Sequence, residues 1–319
     1  MRDGMTENEA MNEKKEEPCG VLVIDKPAGM TSFDVVKRVR HIYGVQRVGH
    51  TGTLDPDATG VLIVLVGRAV KAASYASASK KRYTTCLKLG VATDTEDMSG
   101  RVISRSESIP HADEVEAAVS SYLGEYMQTP PMYSALKVGG QKLVNLARRG
   151  VTVERSPRLV IIHSIEIVKS EAEDEYVLDV SCSSGTYIRT LCADIGNKLG
   201  CGGCMKWLRR TEVGRFTLND AVDVHDIASD PEECLCPVDE LFDGIPRIDF
   251  SLADAMVLFN GGVVEVAPDD IKIPEDAGVV GRQDGIYAFC RNGRLFALGR
   301  IGSAGAKTAK LFTIHADEI

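Results

Sequence analysis

The 319-residue chain contains 44% hydrophobic and 26% charged residues, a balance that is ordinary for a soluble protein. Its longest apolar run, at residues 61–66, has the length of a strand and is far shorter than the roughly 20 residues of a membrane span. The nine cysteines are odd in number and scattered, which favours reduced thiols over a disulfide framework. Residues 1–17 lack the features of a secretory signal or a transit peptide. We therefore expect a cytoplasmic protein with a disordered acidic tail at residues 1–17.

The net charge of −9 conceals an uneven distribution along the chain. Residues 1–17 carry a net charge of −3, residues 18–219 carry +5, and residues 220–319 carry −11. A positive centre between negative ends is the distribution expected if only the central part faces phosphates. The overall acidity therefore does not exclude a nucleic-acid partner.

The first predicted elements are a strand and an amphipathic helix. The apolar run at residues 21–24 stops at Lys26 and Pro27, because proline cannot donate a hydrogen bond within a sheet. A helix is predicted from a Thr31 cap to Gly44, with apolar residues at helical spacing. Its polar face is basic and either contacts phosphates or is merely solvated. The basic residues of that face are Lys37, Arg38 and Arg40.

The next predicted feature is a glycine-rich loop, GHTGTLDPDATG at residues 49–60, which leads into a strand at residues 61–66. The continuous apolar character of this strand is typical of burial on both faces. Further strands are predicted at residues 83–89, 158–168 and 176–182, and helices at residues 112–123, 141–149 and 187–199. The irregular alternation predicts an α+β fold with a mixed, mostly antiparallel sheet flanked by helices.

The pattern changes near Arg247 to short apolar runs separated by Gly, Asp and Pro. These runs predict a small β-rich domain at residues 247–319, after a larger domain at residues 18–246. Its predicted strands are residues 263–266, 278–281, 286–291, 295–301 and 311–314.

The glycine-rich loop fits neither common phosphate-binding motif. No Lys-Ser or Lys-Thr follows at P-loop spacing, and the loop leads into a strand where a dinucleotide-binding motif would lead into a helix. Its distinctive group is Asp55, which Pro56 biases toward an extended backbone. Such a carboxylate is either a turn former or a nucleophile, and spacing alone favours the turn former.

Two cysteine pairs suggest a zinc site, but only weakly. Cys201 and Cys204 form a CxxC pair, whereas Cys234 and Cys236 form a CxC pair that is unusual for a zinc ribbon. Small buried thiols are the favoured interpretation, and no metal is expected.

The combination of motifs resembles the bacterial TruB family of tRNA pseudouridine synthases. The motifs, in the family's order, are GVLVIDKPAGMTS, GHTGTLDPDATGVL, KRYTTCLKLGVATDTEDMSG and GTYIRTLCADIG, and they span roughly residues 20–215. The β-rich segment that follows is loosely similar to the family's PUA-type RNA-binding domain. The resemblance implies a pseudouridine synthase fold and isomerisation of uridine 55 in the T loop of tRNA, without cofactor or metal.

The resemblance also implies roles for individual residues. Asp55 is the catalytic carboxylate, and Arg189 pairs with it, so a cation is expected to hold the pKa of Asp55 down despite burial. Tyr83 stacks on the extruded base. His50 positions the flipped nucleotide without transferring a proton.

Further residues match the family's motifs with less specific roles. Asp97 is expected to contact nucleotides near the target, Lys137 to contact RNA, and Leu208 to line the pocket. Lys26 and Pro27 are expected to support the active-site loop. Two positions depart from the family's common pattern, because Val144 stands where Tyr is common and Ser184 stands where Lys is common.

Other functions are compatible with the same motifs. A related enzyme could act on another RNA with a guide-RNA partner, although such enzymes tend to carry basic extensions. The protein could also assist tRNA folding by opening the T arm, with or without the chemistry. An acidic protein-interaction role of residues 220–319 is a weaker alternative, although Arg291, Arg294 and Arg300 could still contact an acceptor stem. No obligate protein partner is expected, and nothing in the sequence requires more than a monomer.

Overall fold

The computed structural model describes residues 17–77, 79–274 and 285–312. The predicted tail at residues 1–17 therefore lies almost wholly outside the described residues, as does the predicted strand at residues 278–281. The strands are β1 (Gly20–Lys26), β2 (Val48–His50), β3 (Thr59–Val66), β4 (Lys81–Leu89), β5 (Val91–Thr93), β6 (Val102–Arg105), β7 (Gly124–Gln128), β8 (Lys137–Val138), β9 (Gln141–Lys142), β10 (Arg158–Ala172), β11 (Glu175–Cys182), β12 (Gly203–Val213), β13 (Phe216–Thr217), β14 (Val222–Asp223), β15 (Arg247–Asp249), β16 (Val263–Val264), β17 (Tyr287–Arg291), β18 (Arg294–Gly302) and β19 (Gly305–Leu311).

Six α-helices are found among the described residues. They are α1 (Ser32–Tyr43), α2 (Ala73–Ala76), α3 (Ala112–Ser120), α4 (Leu143–Arg148), α5 (Ile188–Lys198) and α6 (Leu252–Phe259). Short 3₁₀ helices lie at Gly67–Ala72, Leu218–Asp220, Val238–Phe242 and Pro268–Asp270. In this part of the chain, no helix is both long and apolar enough to cross a membrane.

The larger sheet has ten strands in a mixed arrangement. Its main path runs β14-β1-β3-β12-β4-β11-β10-β7, with β2 paired to β3 and β13 paired to β12. Only the β1–β14 and β3–β12 pairs are parallel. Helices α1, α3 and α5 contribute to the core on one face of this sheet. The predicted α+β class with a mixed, mostly antiparallel sheet is confirmed.

Helix α1 begins and ends where the sequence predicts. The Thr31 hydroxyl accepts a hydrogen bond from the Asp34 amide, and the Asp34 carboxylate accepts one from the Thr31 amide. The helix closes at Gly44, which adopts a left-handed conformation. Val35, Val36 and Val39 form its buried face and pack into the core.

Strand β3 is buried on both faces, as its apolar sequence predicts. Leu62, Val64 and Val66 pack into the core that contains α1. The intervening residues Val61, Ile63 and Leu65 pack on the opposite face. The glycine-rich loop therefore leads into a strand that two separate cores hold in place.

Strand β12, in the centre of the large sheet, was not predicted from the sequence. It lies between β3 and β4. Charged residues and two register shifts interrupt its alternation, so no regular strand pattern is visible in the sequence. Helix α6 was also missed. The predicted helix at residues 141–149 begins only at Leu143, because β8 and β9 form a hairpin immediately before it.

The C-terminal segment forms a second sheet of five strands, in the order β15-β17-β18-β19-β16. The β-rich character predicted here is confirmed; of the strand predicted at residues 311–314, residues 313 and 314 lie outside the described residues, and β19 ends at Leu311. This sheet packs on the large one: Ala288, Leu298 and Phe312 share a core with Ile63 and Leu65. The division at residue 246 stays a prediction.

Candidate active site

The loop at residues 49–60 is fixed to the start of α1. The Ser32 hydroxyl donates a hydrogen bond to the Leu54 carbonyl (3.1 Å) and accepts one from the Leu54 amide (2.9 Å). One residue later, the Asp55 carbonyl accepts a hydrogen bond from the Ala58 amide (3.1 Å), which closes a tight turn. These contacts set the backbone on both sides of the Asp55 side chain and so determine its direction.

Lys26 supports this turn from beneath. Its side chain is fully buried, and Nζ donates to the carbonyls of Pro27 (2.8 Å), Met30 (2.7 Å) and Pro56 (2.9 Å). The lysine thereby ties the β1–α1 connection to the residue that follows Asp55. This placement fits the structural role expected for Lys26 and Pro27.

Replacing Lys26 by Met should lower the free energy of unfolding by roughly 2 to 4 kcal/mol, because the three backbone carbonyls lose a donor that is itself fully buried. Urea denaturation monitored by circular dichroism measures this change. The matched control is Lys37→Met, because the Lys37 side chain is 59% exposed and makes one ion pair, with Asp34. We expect about 0.5 kcal/mol or less for the control. Equal losses in the two variants would contradict the supporting role of Lys26.

Gly60 closes the loop in a conformation that only glycine accommodates. Its φ is +103°, and a Cβ atom built on it would lie 2.1 Å from the carbonyl oxygen of Arg210 in β12. A side chain here would therefore separate β3 from β12, its neighbour in the sheet.

Replacing Gly60 by Ala should cost roughly 3 kcal/mol or more of stability, because backbone strain and a steric clash coincide. The control is Gly29→Ala, since Gly29 also has a positive φ of +81° but has no atom within 4 Å of a built Cβ. Strain alone should cost about 1 to 2 kcal/mol there. Urea unfolding of both variants separates the two effects, and a Gly60 variant no worse than the control would refute the clash.

Asp55 and Arg189 form an ion pair. Nε of Arg189 lies 2.9 Å from Oδ2 of Asp55, and Nη2 donates to Oδ1 at 3.4 Å. The Arg189 side chain is 7% exposed and the Asp55 side chain is 37% exposed. Two donors on two carboxylate oxygens fix the plane of the carboxylate as well as its position. The structure thus brings together the two residues that the resemblance pairs.

The guanidinium of Arg189 is itself anchored by two backbone carbonyls. Nη1 donates to the carbonyl of Thr95 (3.1 Å), and Nη2 donates to the carbonyl of Tyr133 (3.0 Å). Arg189 is the second residue of α5, so one helix and two loops hold it. The ion pair therefore has a preorganised cation.

Asp97 supports Arg189. Its Oδ2 lies 3.7 Å from Nη1 of Arg189, and its Oδ1 accepts hydrogen bonds from the Thr95 hydroxyl (2.7 Å) and from the amide (3.0 Å) and hydroxyl (2.6 Å) of Ser99. The side chain is only 17% exposed. This geometry favours a supporting role over the direct nucleotide contact that the resemblance implies.

Burial raises the pKa of Asp55 above the usual range, the Arg189 guanidinium opposes this rise, and the Asp97 carboxylate adds to it. The expectation that a cation holds this pKa down needs correction, because the cation is present but burial has the larger effect. Any activity that needs the ionised carboxylate is therefore lost at a higher pH than for an exposed aspartate.

A cleft of about 570 Å³ opens beside the ion pair. This volume lies within the usual range of small-molecule sites and can accommodate a nucleoside. Among the residues predicted from the sequence, four line the cleft: Asp55, Tyr83, Arg189 and Leu208. Val144 and Ser184, which depart from the family's common pattern, line it as well. Both departures therefore fall where they can affect a bound substrate.

Tyr83 lies in β4 with its side chain buried. In the β4–β12 pairing it stands opposite Arg210. Burial raises the pKa of its hydroxyl, and Arg210 opposes the rise. The ring lines the cleft, and its stacking on a base stays a prediction.

His50 and Lys137 lie at the periphery of the site. Within the described chain, neither side chain is among those that line the cleft. Burial lowers the pKa of His50, and Arg210 lowers it further, so its ring is neutral near physiological pH. Lys137 is exposed in β8, paired with Lys142, which does line the cleft. Lys137 is therefore placed at the rim.

The four cysteines of the zinc alternative do not converge. In residues 17–77, 79–274 and 285–312, no group of three or more His, Cys, Asp or Glu side chains could hold a metal ion. Cys201 and Cys204 are buried, and Cys234 and Cys236 are partly buried.

Two sequence profiles match consecutive parts of the chain. The profile of the TruB family pseudouridylate synthase N-terminal domain covers residues 40–188, and that of the tRNA pseudouridylate synthase B C-terminal domain covers residues 189–243. The tRNA pseudouridine synthase B of Alkaliphilus oremlandii is 48% identical over 222 residues, which are 69% of this chain and 74% of the relative. That of Clostridium novyi is 39% identical over 294 residues, 92% of this chain and 99% of the relative. The chain belongs to the TruB family.

Solved structures share the fold of this TruB-family protein. A chain in the crystal structure of a Cbf5-Nop10-Gar1 complex has a TM-score of 0.71 at 24% identity, covering 92% of this chain and 85% of that chain. A chain in an H/ACA RNP bound to a substrate RNA containing 2′-deoxyuridine has a TM-score of 0.69 at 22% identity, with coverages of 92% and 85%. The predicted pseudouridine synthase fold is thereby confirmed.

Three residues of the TruB-family site were missed from the sequence. Lys81 and Arg210 are buried and line the cleft. Glu96 has a positive φ of +66° beside Arg189 and accepts a hydrogen bond from the Thr190 hydroxyl (2.5 Å). Lys81 and Arg210 could have been noticed because they stand two residues from Tyr83 and Leu208, both of which were predicted. Glu96 is the direct neighbour of the predicted Asp97, but its strained backbone is visible only in the structure.

Proposed function

We propose that this protein converts the uridine at position 55 in the T loop of tRNA into pseudouridine, with Asp55 as the catalytic carboxylate. The coarser activity, pseudouridine formation in tRNA, follows from membership of the TruB family and makes the protein an isomerase. The observation that carries the finer proposal is the ion pair of Asp55 and Arg189 beside a cleft of nucleoside size.

The reaction detaches the base from the ribose, turns it, and rejoins it through carbon. Asp55 attacks either the sugar or the ring, and each route requires the ionised carboxylate. Arg189 orients that carboxylate and favours its charged form. Asp97 and two backbone carbonyls hold Arg189 in place, so the pair needs no rearrangement when the substrate arrives.

The walls of the cleft suit an extruded base. A base in a folded loop must leave its stack before its sugar carbon is accessible, which costs a few kcal/mol, and stacking on an aromatic ring can return roughly 1 to 3 kcal/mol. Tyr83 supplies such a ring, and Leu208 supplies an apolar wall. A site lined in this way also retains the loose base and excludes water. We assign base stacking to Tyr83 and nucleotide positioning to His50.

The rim of the cleft is basic. Lys137 and Lys142 face each other across the β8–β9 hairpin, and Lys142 reaches the cleft. We assign phosphate contacts to this hairpin, in keeping with the net +5 of residues 18–219. Val144, which follows the hairpin, and Ser184 are the positions where substrate range and affinity should differ from other family members.

The test uses a T-arm stem-loop RNA without modifications. Pseudouridine should form at position 55 of this RNA, and none should form when position 55 is cytidine or when an anticodon stem-loop is supplied. Nuclease digestion and chromatography of the nucleosides detect the product. Pseudouridine at another position, or in the anticodon stem-loop, would overturn the assignment to the T loop.

Assistance of tRNA folding is a second proposal. Extruding the base requires the tertiary contacts of the T arm to open, and this opening uses the RNA-binding rim without the chemistry of Asp55. The PUA-like role of residues 247–319, with Arg291 and Arg294 beside an acceptor stem, is a further part of the proposal. A monomer without an obligate protein partner stays a prediction.

A further inference from the structure

Lys81 and Arg210 give the cleft a cationic wall, a name used here for these two side chains together. Lys81 is 7% exposed and Arg210 is 2% exposed, yet both line the cleft. Gly52 lies between them: a Cβ atom built on it would be 3.6 Å from Nη1 of Arg210 and 3.7 Å from Cε of Lys81. The two cations therefore flank the same part of the loop that carries Asp55.

The cationic wall is held by neutral oxygen atoms. Nζ of Lys81 donates to the carbonyls of Ser77 (3.0 Å) and Ser79 (2.7 Å). Nε of Arg210 donates to the Val61 carbonyl (2.7 Å), and Nη2 donates to the Gly52 carbonyl (3.2 Å). Among the described residues, neither side chain forms an ion pair with a carboxylate. Two positive charges are thus oriented in the cleft without being neutralised.

This arrangement is unfavourable for the free protein. A buried charge without a counterion is costly, and two like charges near each other repel. The unfavourable electrostatics are visible in the pKa of Lys81, which burial and, to a smaller extent, the charge of Arg210 lower to about 8. Unfavourable charge retained in a cleft is expected where an anion is received during function.

Arg189, which also lines the cleft, is already engaged. Arg189 pairs with Asp55 at 2.9 Å and lies 3.7 Å from Asp97. Its charge therefore serves the carboxylate, whereas the charge of the cationic wall is available to a ligand.

The proposed reaction supplies a suitable anion. On the route in which Asp55 attacks the sugar, its carboxylate oxygen bonds to C1′ as the C1′–N1 bond breaks; the electron pair of the broken bond leaves with the base, and the negative charge spreads over N1, O2 and O4. The base then turns and its C5 forms a bond to C1′ while the bond between C1′ and Asp55 breaks and restores the carboxylate; the C5 proton leaves and N1 takes up a proton. The atoms balance without any further reactant, and the base is anionic between the two bonds.

The position of the cationic wall fits a base better than a phosphate. Arg210 stands opposite Tyr83 in the β4–β12 pairing and interacts with its hydroxyl, so the charge lies where the base is expected to stack. A phosphate is more strongly hydrated and is better served by exposed lysines at the rim, such as Lys137. The deep burial of both cations therefore favours the ring.

We propose that the cationic wall of Lys81 and Arg210 stabilises the negative charge of the uracil ring after it leaves the ribose, and so also retains the loose base. This inference rests on the proposed function, because it assigns these residues to the same reaction. The proposal predicts that the reaction rate of a base whose anion is more stable depends less on the cationic wall.

The experiment compares wild type with Lys81→Met on full-length unmodified tRNA transcripts made with uridine or with 5-fluorouridine. Fluorine withdraws electron density and stabilises the base anion without help from the protein. The loss of the N-linked nucleoside is measured under single-turnover conditions. This loss reports cleavage of the C1′–N1 bond, which comes before the step in which C5 loses its substituent. Lys81→Met should lower the cleavage rate of the uridine transcript by roughly 30-fold. The factor by which it lowers the rate of the fluorinated transcript should be at least about fivefold smaller. Lys81→Arg restores the charge and should recover the rate to within about threefold of wild type.

A second variant, Arg210→Lys, keeps the positive charge of the cationic wall and serves as a control for folding. Circular dichroism and filter binding of the transcripts establish that each variant is folded and binds RNA. Equal slowing of the two transcripts by Lys81→Met would overturn the proposal, and so would weaker binding with an unchanged single-turnover rate, which indicates a phosphate contact. Full-length transcripts keep the two proposals separable. Conversion at a uridine other than 55 refutes the T-loop assignment alone, whereas a wild type that converts no uridine overturns both.

Discussion

Replacing Asp55 by Asn should reduce pseudouridine formation in T-arm RNA by at least roughly 10⁴-fold, while the affinity for that RNA changes by less than about threefold. Asparagine keeps the size and planarity of the side chain but has neither the charge nor the nucleophilic oxygen. The tight turn closed by the Ala58 amide uses the backbone of residue 55, so the loop should keep its conformation. Single-turnover assays and filter binding measure the two quantities separately.

The matched control is Asp57→Asn, because Asp57 is an exposed carboxylate two residues further along the same loop. Its rate should stay within about threefold of wild type. A retained rate in the Asp55 variant, or an equal loss in both, would refute the catalytic role of Asp55. The same Asp55 variant tests folding assistance: it should still accelerate refolding of misfolded tRNA if opening of the T arm is independent of the chemistry.

Replacing Arg189 by Gln should lower the turnover rate by roughly 10²- to 10³-fold at neutral pH. The substitution removes both donors to the Asp55 carboxylate and leaves the Asp97 carboxylate nearby without its cation. The pKa of Asp55, already raised by burial, should rise further because the opposing effect of Arg189 is lost. The ionised fraction of Asp55 at neutral pH should fall accordingly.

The loss of Arg189 should also change how the turnover rate depends on pH. Under the proposed role of Asp55, activity requires the ionised carboxylate, so it is present above the pKa of Asp55 and is lost as the pH falls through it. A higher pKa therefore moves the acidic limb of the rate profile to higher pH in the Arg189 variant. Turnover measured from about pH 5 to about pH 9 detects the shift. A lower rate with an unmoved limb would contradict the assignment of Arg189 to the carboxylate.

Arg82→Gln is the control for Arg189. Arg82 also pairs with a carboxylate, Asp179 at 2.7 Å, but its side chain is 42% exposed and, in the part of the chain that the structure describes, is not among those that line the cleft. We expect less than about a threefold change in rate and no shift of the acidic limb.

Sequence patterns predicted the elements whose side chains repeat with a clear period. Helix α1 has a cap, an apolar face and a terminal glycine, and strand β3 is continuously apolar, so both were recognised. Strand β12 was not, because Lys206, Arg209 and Arg210 interrupt its apolar residues, and only the neighbouring strands explain the burial of Arg210. Local pattern therefore missed a strand at the centre of the sheet.

The candidate site shows the same limit. Asp55, Tyr83 and Arg189 were predicted from motifs, and the structure brings them to one cleft. Lys81 and Arg210 were not singled out, because their burial depends on strands that meet only after folding. The direction predicted for the shift of the Asp55 pKa was also wrong, since the sequence shows the partner of the carboxylate but not how far folding removes the carboxylate from water.

The odd-numbered face of β3 has a consequence for the architecture of the enzyme. Val61, Ile63 and Leu65 are covered by Ala288, Leu298 and Phe312 from the distant end of the chain. The second sheet therefore covers one face of the strand whose first residues end the loop that carries Asp55. Removing the second sheet would expose an apolar face of β3 to water and weaken the support of the loop that carries Asp55. We therefore expect the two sheets to unfold as one cooperative unit.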